Sequence, residues 1–237
     1  MQSAWTLLSW GPEGWMDDIA YGVLVTVSLA LVTLPLGLFI GFYIAIAKQS
    51  SEPSIRLAGN IYTTIFRGLP ELLTLFLVYF GAQIGLQNLV HIFNPDATVE
   101  INSFVSGMVA LGVVFSSYAS EVFLSAFRAI PRGQYEGGYA IGLTKGQTMR
   151  LVVLPQLIRI ALPGLANLWL ILLKDTALVS AIGLSDILRQ AGVAARVTKH
   201  AFLFFGVAGL IYLVLAIVSS FGIHAIERAV GSREAAR

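Results

Sequence analysis

Two carboxylates, Glu71 and Glu121, stand inside long apolar stretches, and a polar triplet, Lys174-Asp175-Thr176, interrupts a third. An ionised group at the centre of a membrane helix costs at least ~2.5 kcal/mol, so it normally faces a cavity or a partner. Glu71 follows Arg67 at the i, i+4 spacing of one helix face. It either pairs with that arginine or offers its charge to a cationic substrate. Glu121 has no following cation until Arg128; it either hydrogen-bonds serines such as Ser117 and Ser120 or faces a substrate path. Lys174-Asp175-Thr176 reads as an internal ion pair at a helix bend or as a holder for the carboxylate of an amino acid. Arg67, Glu71, Glu121, Lys174, Asp175 and Thr176 are therefore the candidate path residues.

The chemistry that can be excluded is broad. The chain has no cysteine, and its three histidines, His91, His200 and His224, form no pair at metal-ligand spacing. No nucleophile-base-acid set is evident, and no Gly-x-x-x-x-Gly-Lys-Ser/Thr phosphate loop occurs. The reading is of a protein that is not an enzyme, holds no metal and carries no cofactor of its own. If ATP drives it, ATP and Mg are bound by another polypeptide. The formal net charge of +2 gives no case for nucleic acid.

A second polar constellation lies between Arg128 and Ile160. Arg128, Arg132, Lys145, Arg150 and Arg159 outnumber the single acid, Glu136. That bias places the loop on the cytoplasmic side of a membrane. Pro131 and Gly133 break the chain, and a short helix can start near Gln134. Gly142 ends it, since the residue after a helix often needs a left-handed conformation that glycine adopts without strain. Thr144 can cap a second helix running through Leu154. Gly137 and Gly138 weaken the first helix, at roughly 1 kcal/mol each against alanine.

The elements that must hold these residues are membrane helices. The 237-residue chain is 57% hydrophobic and 12% charged, with a mean hydropathy of +0.79; soluble domains carry roughly 25% charge. Ile19 to Ala47 contains no charged residue, enough to span ~30 Å of hydrocarbon. The second span lies within Ile55 to Val90, interrupted at Arg67-Gly68-Leu69-Pro70-Glu71. It starts either at Leu69 or near Leu57; the Gly-x-Pro break favours the second, with the interruption inside the membrane. Ser103 to Phe127 forms the third, a fourth begins near Ile160, and Phe202 to Ile226 forms the fifth. Residues 1–18 are acidic, carry Trp5, Trp10 and Trp15, and read as an outer segment. Residues 185–200 read as an outer amphipathic segment whose cations run against the charge rule. The expectation is one all-α integral membrane domain over residues 1–237, with five transmembrane helices, N-terminus outside and C-terminus cytoplasmic.

Glu136, Gly142 and Leu154-Pro155, with Val152 two positions before the proline pair's leucine, stand at a family spacing. They resemble the Glu-Ala-Ala, Gly, Ile-x-Leu-Pro cytoplasmic loop of the membrane subunit of bacterial ABC importers. Gly137 and Gly138 replace the two alanines. Phe66-Arg67-Gly68-Leu69-Pro70, the Ala-Leu-Pro-Gly at 161–164 and Lys174 through Ser180 are similar to the polar amino acid uptake branch. An acid after the Arg-Gly-x-Pro turn is similar to histidine/lysine/arginine/ornithine and opine permeases. The resemblance implies a type I importer-like permease in the bacterial inner membrane, surrounded by membrane lipid. It implies a second permease subunit (copy or paralogue), two ATPase subunits and an extracytoplasmic solute-binding protein. It implies that residues 128–160, with Glu136, Gly137, Gly138, Gly142, Leu154 and Pro155, dock the ATPase. The expected cargo is a polar, cationic amino acid or opine-like derivative; the competing reading is a dimeric secondary transporter or channel without an ATPase.

Overall fold

The computed structural model describes residues 4–235, all of its regular structure helical. The order is α1 (Ala4–Leu7), α2 (Met16–Lys48), α3 (Pro53–Gly68), α4 (Glu71–Phe93), α5 (Ser103–Ala129), α6 (Arg132–Ala140), α7 (Lys145–Thr148), α8 (Leu154–Asp175), α9 (Ile187–Thr198) and α10 (Ala201–Ala235). A π-helical turn, Met149–Val153, joins α7 to α8, and a 3-10 turn, Thr176–Ile182, follows α8. Among the described residues, five segments are long and apolar enough to cross a membrane: Met16–Lys48, Glu71–Phe93, Ser103–Ala129, Lys145–Ile182 and Ala201–Ala229.

The core is the parallel pair α2 and α5. Small residues let the two backbones approach: a Cβ on Gly37 would lie 2.4 Å from the Phe115 ring, and one on Gly41 2.8 Å from the Ser116 carbonyl. Gly107 faces Leu29, and Gly112 faces Thr33 and Leu36. Successive contacts rise together along both helices, so the pair runs in one direction. The uncharged stretch Ile19–Ala47 is centred at Thr33, which puts Leu111 and Gly112 of α5 at the level of the hydrocarbon midpoint. Helix α8 packs on α5 and completes a core of Phe115, Phe123, Leu157, Leu168, Leu172 and Val179. A second core ties Leu7, Ile19, Ile187, Ala191 and Phe204 together where the N-terminal segment, α9 and α10 meet.

Two boundaries differ from the sequence reading. The second span begins at Glu71; Pro53–Gly68 is a separate helix, with Pro53 in its first turn and an amphipathic pattern. Proline accounts for both ends, since it lacks an N–H and restricts the residue before it. The helix that carries the fourth span starts well before Ile160: α7, the π turn and α8 form one continuous rod from Lys145. Pro155 cannot donate to the Leu151 carbonyl, and the chain answers by widening the turn: the Leu154 amide reaches Met149.

The C-terminal half of α4 carries two glutamines that act as hydrogen-bond partners for an extended segment. Gln83 Oε1 accepts from the Ile101 amide at 2.9 Å, Gln87 Oε1 from the Val99 amide at 2.9 Å, and Gln87 Nε2 donates to the Ala97 carbonyl at 2.7 Å. Backbone that would otherwise lack partners is thus satisfied before Asn102 caps α5.

Candidate functional site

The break at Leu69-Pro70 delivers Glu71 as the first residue of α4, and the end of α8 delivers Asp175. Helix α4 packs against the 3-10 turn that follows Asp175, which brings the two acids to the same side of the helix bundle. Asp175 lines a small cavity of about 20 Å³ with Leu111, Phe115, Tyr118 and Leu168, at the level of the hydrocarbon midpoint. Among the described residues neither carboxylate has an ion-pair partner. Two acids beside one helix break make a place that attracts a cation.

Arg67 does not pair with Glu71. Its guanidinium lies 3.3 Å from the Glu121 carboxylate and 5.5 Å from the centre of the Tyr118 ring. Lys48 reaches the same Glu121 oxygen, and also donates to Thr63 Oγ1 at 3.0 Å. Ser117 and Ser120, the expected partners of Glu121, instead return their hydroxyls to carbonyls of their own helix at 2.7 Å. Arg67, Glu121 and Lys48 therefore form one charge group, and Glu71 with Asp175 another. Tyr118 stands between them, under Arg67 and on the wall of the Asp175 cavity.

The triplet after Leu173 is divided. Lys174 is exposed and makes no ion pair with Asp175. Thr176 is buried, its hydroxyl donated to the Leu173 carbonyl at 2.7 Å, so it faces the packing and not the cavity. Lys48 was not among the sequence candidates, since a lysine after an apolar run reads as an end marker.

The basic loop folds into two arms. Pro131 precedes α6, and Gly142, at φ +85°, turns the chain after it. Thr144 and Gln147 then cap α7 reciprocally, the Gln147 amide donating to Thr144 Oγ1 at 3.3 Å and the Thr144 amide to Gln147 Oε1 at 2.9 Å. Gln156 Nε2 donates to Gln134 Oε1 at 3.0 Å and holds α8 to α6. Glu136 and Gly137 are exposed, whereas Gly138 is buried against Thr148. Leu154 is half-buried and Pro155 exposed. The outer face also presents Ile141 at 76% exposure and Tyr139 at 45%, which the sequence reading did not single out. Apolar side chains left bare beside Glu136 give this surface the character of a protein contact.

Five membrane-length helices, a charged helix break and a compact loop with a bare apolar face are the features of a multi-pass transport subunit. The chain matches the family described as binding-protein-dependent transport system inner membrane component over residues 33–232, and it belongs to that family. It is similar to the nopaline transport system permease protein NocQ of Agrobacterium fabrum, with 41% identity covering 94% of this chain and 95% of that one. It is also similar to the histidine/lysine/arginine/ornithine permease HisQ of Salmonella typhimurium, with 39% identity over 91% of this chain and 94% of the other. Among solved structures, an amino acid ABC transporter crystallised with histidines superposes with a TM-score of 0.77 and 31% identity, covering 91% of this chain and 95% of that chain. The MetNI methionine ABC transporter superposes with a TM-score of 0.74 at 18% identity, over 91% and 97% of the two chains, and shows the fold alone. The chain is thus a type I importer-like permease for amino acid transport in the bacterial inner membrane.

Proposed function

We propose that this permease forms the translocation path for a cationic amino acid or opine-like derivative in an ATP-driven importer. The observation that carries the reading is the placement of two acids, Glu71 at the helix break and Asp175 at the end of α8, neither with an ion-pair partner among the described residues. In this reading their charge holds the substrate's cationic group, and the neighbouring exposed Lys174 serves its carboxylate. Arg67 and Glu121 hold the break in position through Lys48. Residues 128–160 dock a separate ATPase subunit, with Glu136, Tyr139 and Ile141 on the contact face and Gly142 setting the angle between the arms. The assembly contains a second permease subunit, two ATPases and an extracytoplasmic solute-binding protein. The N-terminus lies outside and the loop inside.

The test is purification of the tagged chain from its native membrane, reconstitution with whatever co-purifies, and uptake from a panel of amino acids. An ATPase should co-purify, and ATP-dependent uptake should favour arginine, lysine, histidine or opines over leucine and glutamine. Uptake without ATP, or preference for a neutral amino acid, overturns the reading. Cysteines at Asn94 and Lys145 test the orientation against a native background that has none. The first should react with a membrane-impermeant thiol reagent from outside and the second only after permeabilisation.

A further inference from the structure

On the far side of α8 from Asp175, the chain carries a second cavity that the transport path does not use. It is a groove of about 390 Å³ between α2, α8 and α10, lined by Leu31, Leu38, Leu162, Trp169, Gly222 and Ile226 among others. Leu31 to Leu38 fall in the middle of the uncharged stretch of α2, so the groove lies within the hydrocarbon. Its walls are almost wholly apolar. Gly222 leaves it open, since a Cβ there would meet nothing within 4 Å.

One turn of α8 beyond the groove's lining residue Leu162, toward the basic loop, stands Arg159. Arg159, Leu162, Ala166 and Trp169 follow one another at i, i+3, i+7 and i+10, one stripe of α8. Arg159 is half-buried and has no ion-pair partner among the described residues. Helical side chains lean toward the helix N-terminus, so Arg159 extends away from the hydrocarbon and toward the headgroup level. The next acid along α10 after Ile226 is Glu227, whose carboxylate contacts the His224 ring at 3.2 Å. An apolar slot in the membrane with an unpaired guanidinium at its mouth has the chemistry of a phospholipid with an anionic headgroup.

We propose that this groove binds one anionic phospholipid of the surrounding membrane, an acyl chain lying along α8 from Trp169 to Leu162 and the phosphate on Arg159. The guanidinium matches a phosphate with paired N–H donors, a geometry that lysine does not reproduce. The lipid would brace α10 against α8 on the side opposite the site and would move with the rod that ends in Asp175. The inference rests on membrane placement and not on which substrate the permease carries.

The test uses the intact complex from its native membrane, exchanged into nanodiscs of dioleoyl phosphatidylglycerol or dioleoyl phosphatidylcholine. Native mass spectrometry of the released complex should retain phosphatidylglycerol on the permease and little phosphatidylcholine. Arg159→Gln should weaken that retention about tenfold, the loss of one charge-assisted contact. Gly222→Leu, which fills the slot from α10, should abolish it while Arg159 remains. Nanodiscs containing 9,10-dibrominated chains report the groove directly, because bromine quenches a neighbouring indole. The quenching that disappears in Trp169→Phe belongs to Trp169, and Gly222→Leu should reduce it. Equal retention of both lipids with no effect of Arg159→Gln overturns the proposal. So does a Trp169 that brominated chains cannot reach in the intact complex, the outcome if a second permease subunit covers this face.

Discussion

Gly138 of α6 sits directly against Thr148 of α7: a Cβ on Gly138 would lie 2.6 Å from Thr148 Cγ2 and 2.8 Å from its Oγ1. The preceding residue, Gly137, faces open space. The family pattern places alanines at both positions, yet this chain has closed the two arms of its loop on one of its glycines.

The two glycines should therefore respond to alanine in opposite directions. At Gly137 alanine gains ~1 kcal/mol of helix propensity and meets nothing. At Gly138 the same gain is opposed by overpacking, which costs ~1–3 kcal/mol. Gly137→Ala should raise the thermal stability of the purified permease, and Gly138→Ala should lower it. Gly138→Ala combined with Thr148→Ala should recover most of the loss. A Gly138→Ala variant as stable as Gly137→Ala would show that the arms are not in contact.

The charge group around Glu121 separates a buried pair from an exposed one. The Lys48 side chain is 7% exposed and that of Arg67 45%. Breaking a buried pair by removing one partner costs ~3–5 kcal/mol, because the other charge is left uncompensated. An exposed pair contributes ~0–1 kcal/mol. Glu121→Gln should markedly lower the unfolding temperature, whereas Arg67→Gln should leave it within a few degrees of the parent. Equal losses from the two substitutions would place both cations in the same environment.

What the sequence made legible follows from distance along the chain. Gly142, Thr144 and the breaks at Pro131 and Pro70 act on their own neighbours, and each appears where its local chemistry put it. Five apolar runs gave five membrane-length helices for the same reason. Lys48 and Glu121 are 73 residues apart, and nothing near either one announces the other. Glu71 and Arg67 are one turn apart in sequence, but the Leu69-Pro70 break ends the helix between them, so the i, i+4 rule does not apply. The placement of Glu71 relative to Asp175 depends on how α4 packs against the 3-10 turn that follows α8, which no local pattern carries.

Asp186 belongs to the amphipathic segment 185–200, and the sequence reading gave it no role of its own. It is fully buried, caps α9 by accepting from the Arg189 amide at 2.9 Å and the Leu188 amide at 3.3 Å, and lies beside the Tyr212 hydroxyl. Burial pushes its carboxyl up from 3.8 to about 6, against the pull of those amides. A carboxyl whose folded value is raised makes folding less favourable when charged. Stability should therefore climb as pH falls from 7 toward the unfolded value, by at most ~1.4 kcal/mol per pH unit, and gain nothing more below it. Asp186→Asn keeps an accepting oxygen for the cap and should flatten this part of the profile. Parallel unfolding curves for parent and variant between pH 7 and pH 4 would remove Asp186 as its source.

The last expectation concerns the two acids of the site. Glu71 and Asp175 have no ion partner among the described residues, so neutral isosteres leave no orphaned cation behind. Glu71→Gln and Asp175→Asn should therefore insert, assemble and unfold much as the parent does. A charge-assisted hydrogen bond contributes ~1.5–3 kcal/mol, a factor of about ten to a hundred in affinity. Each variant should lose cationic substrate uptake by a factor in that range, with neutral analogues affected far less. The two losses should also be less than additive, since in this reading both acids act on one cationic group. Equal loss for cationic and neutral substrates would assign the pair to packing of the helix break. A loss confined to one variant would leave a single carboxylate as the cation's partner.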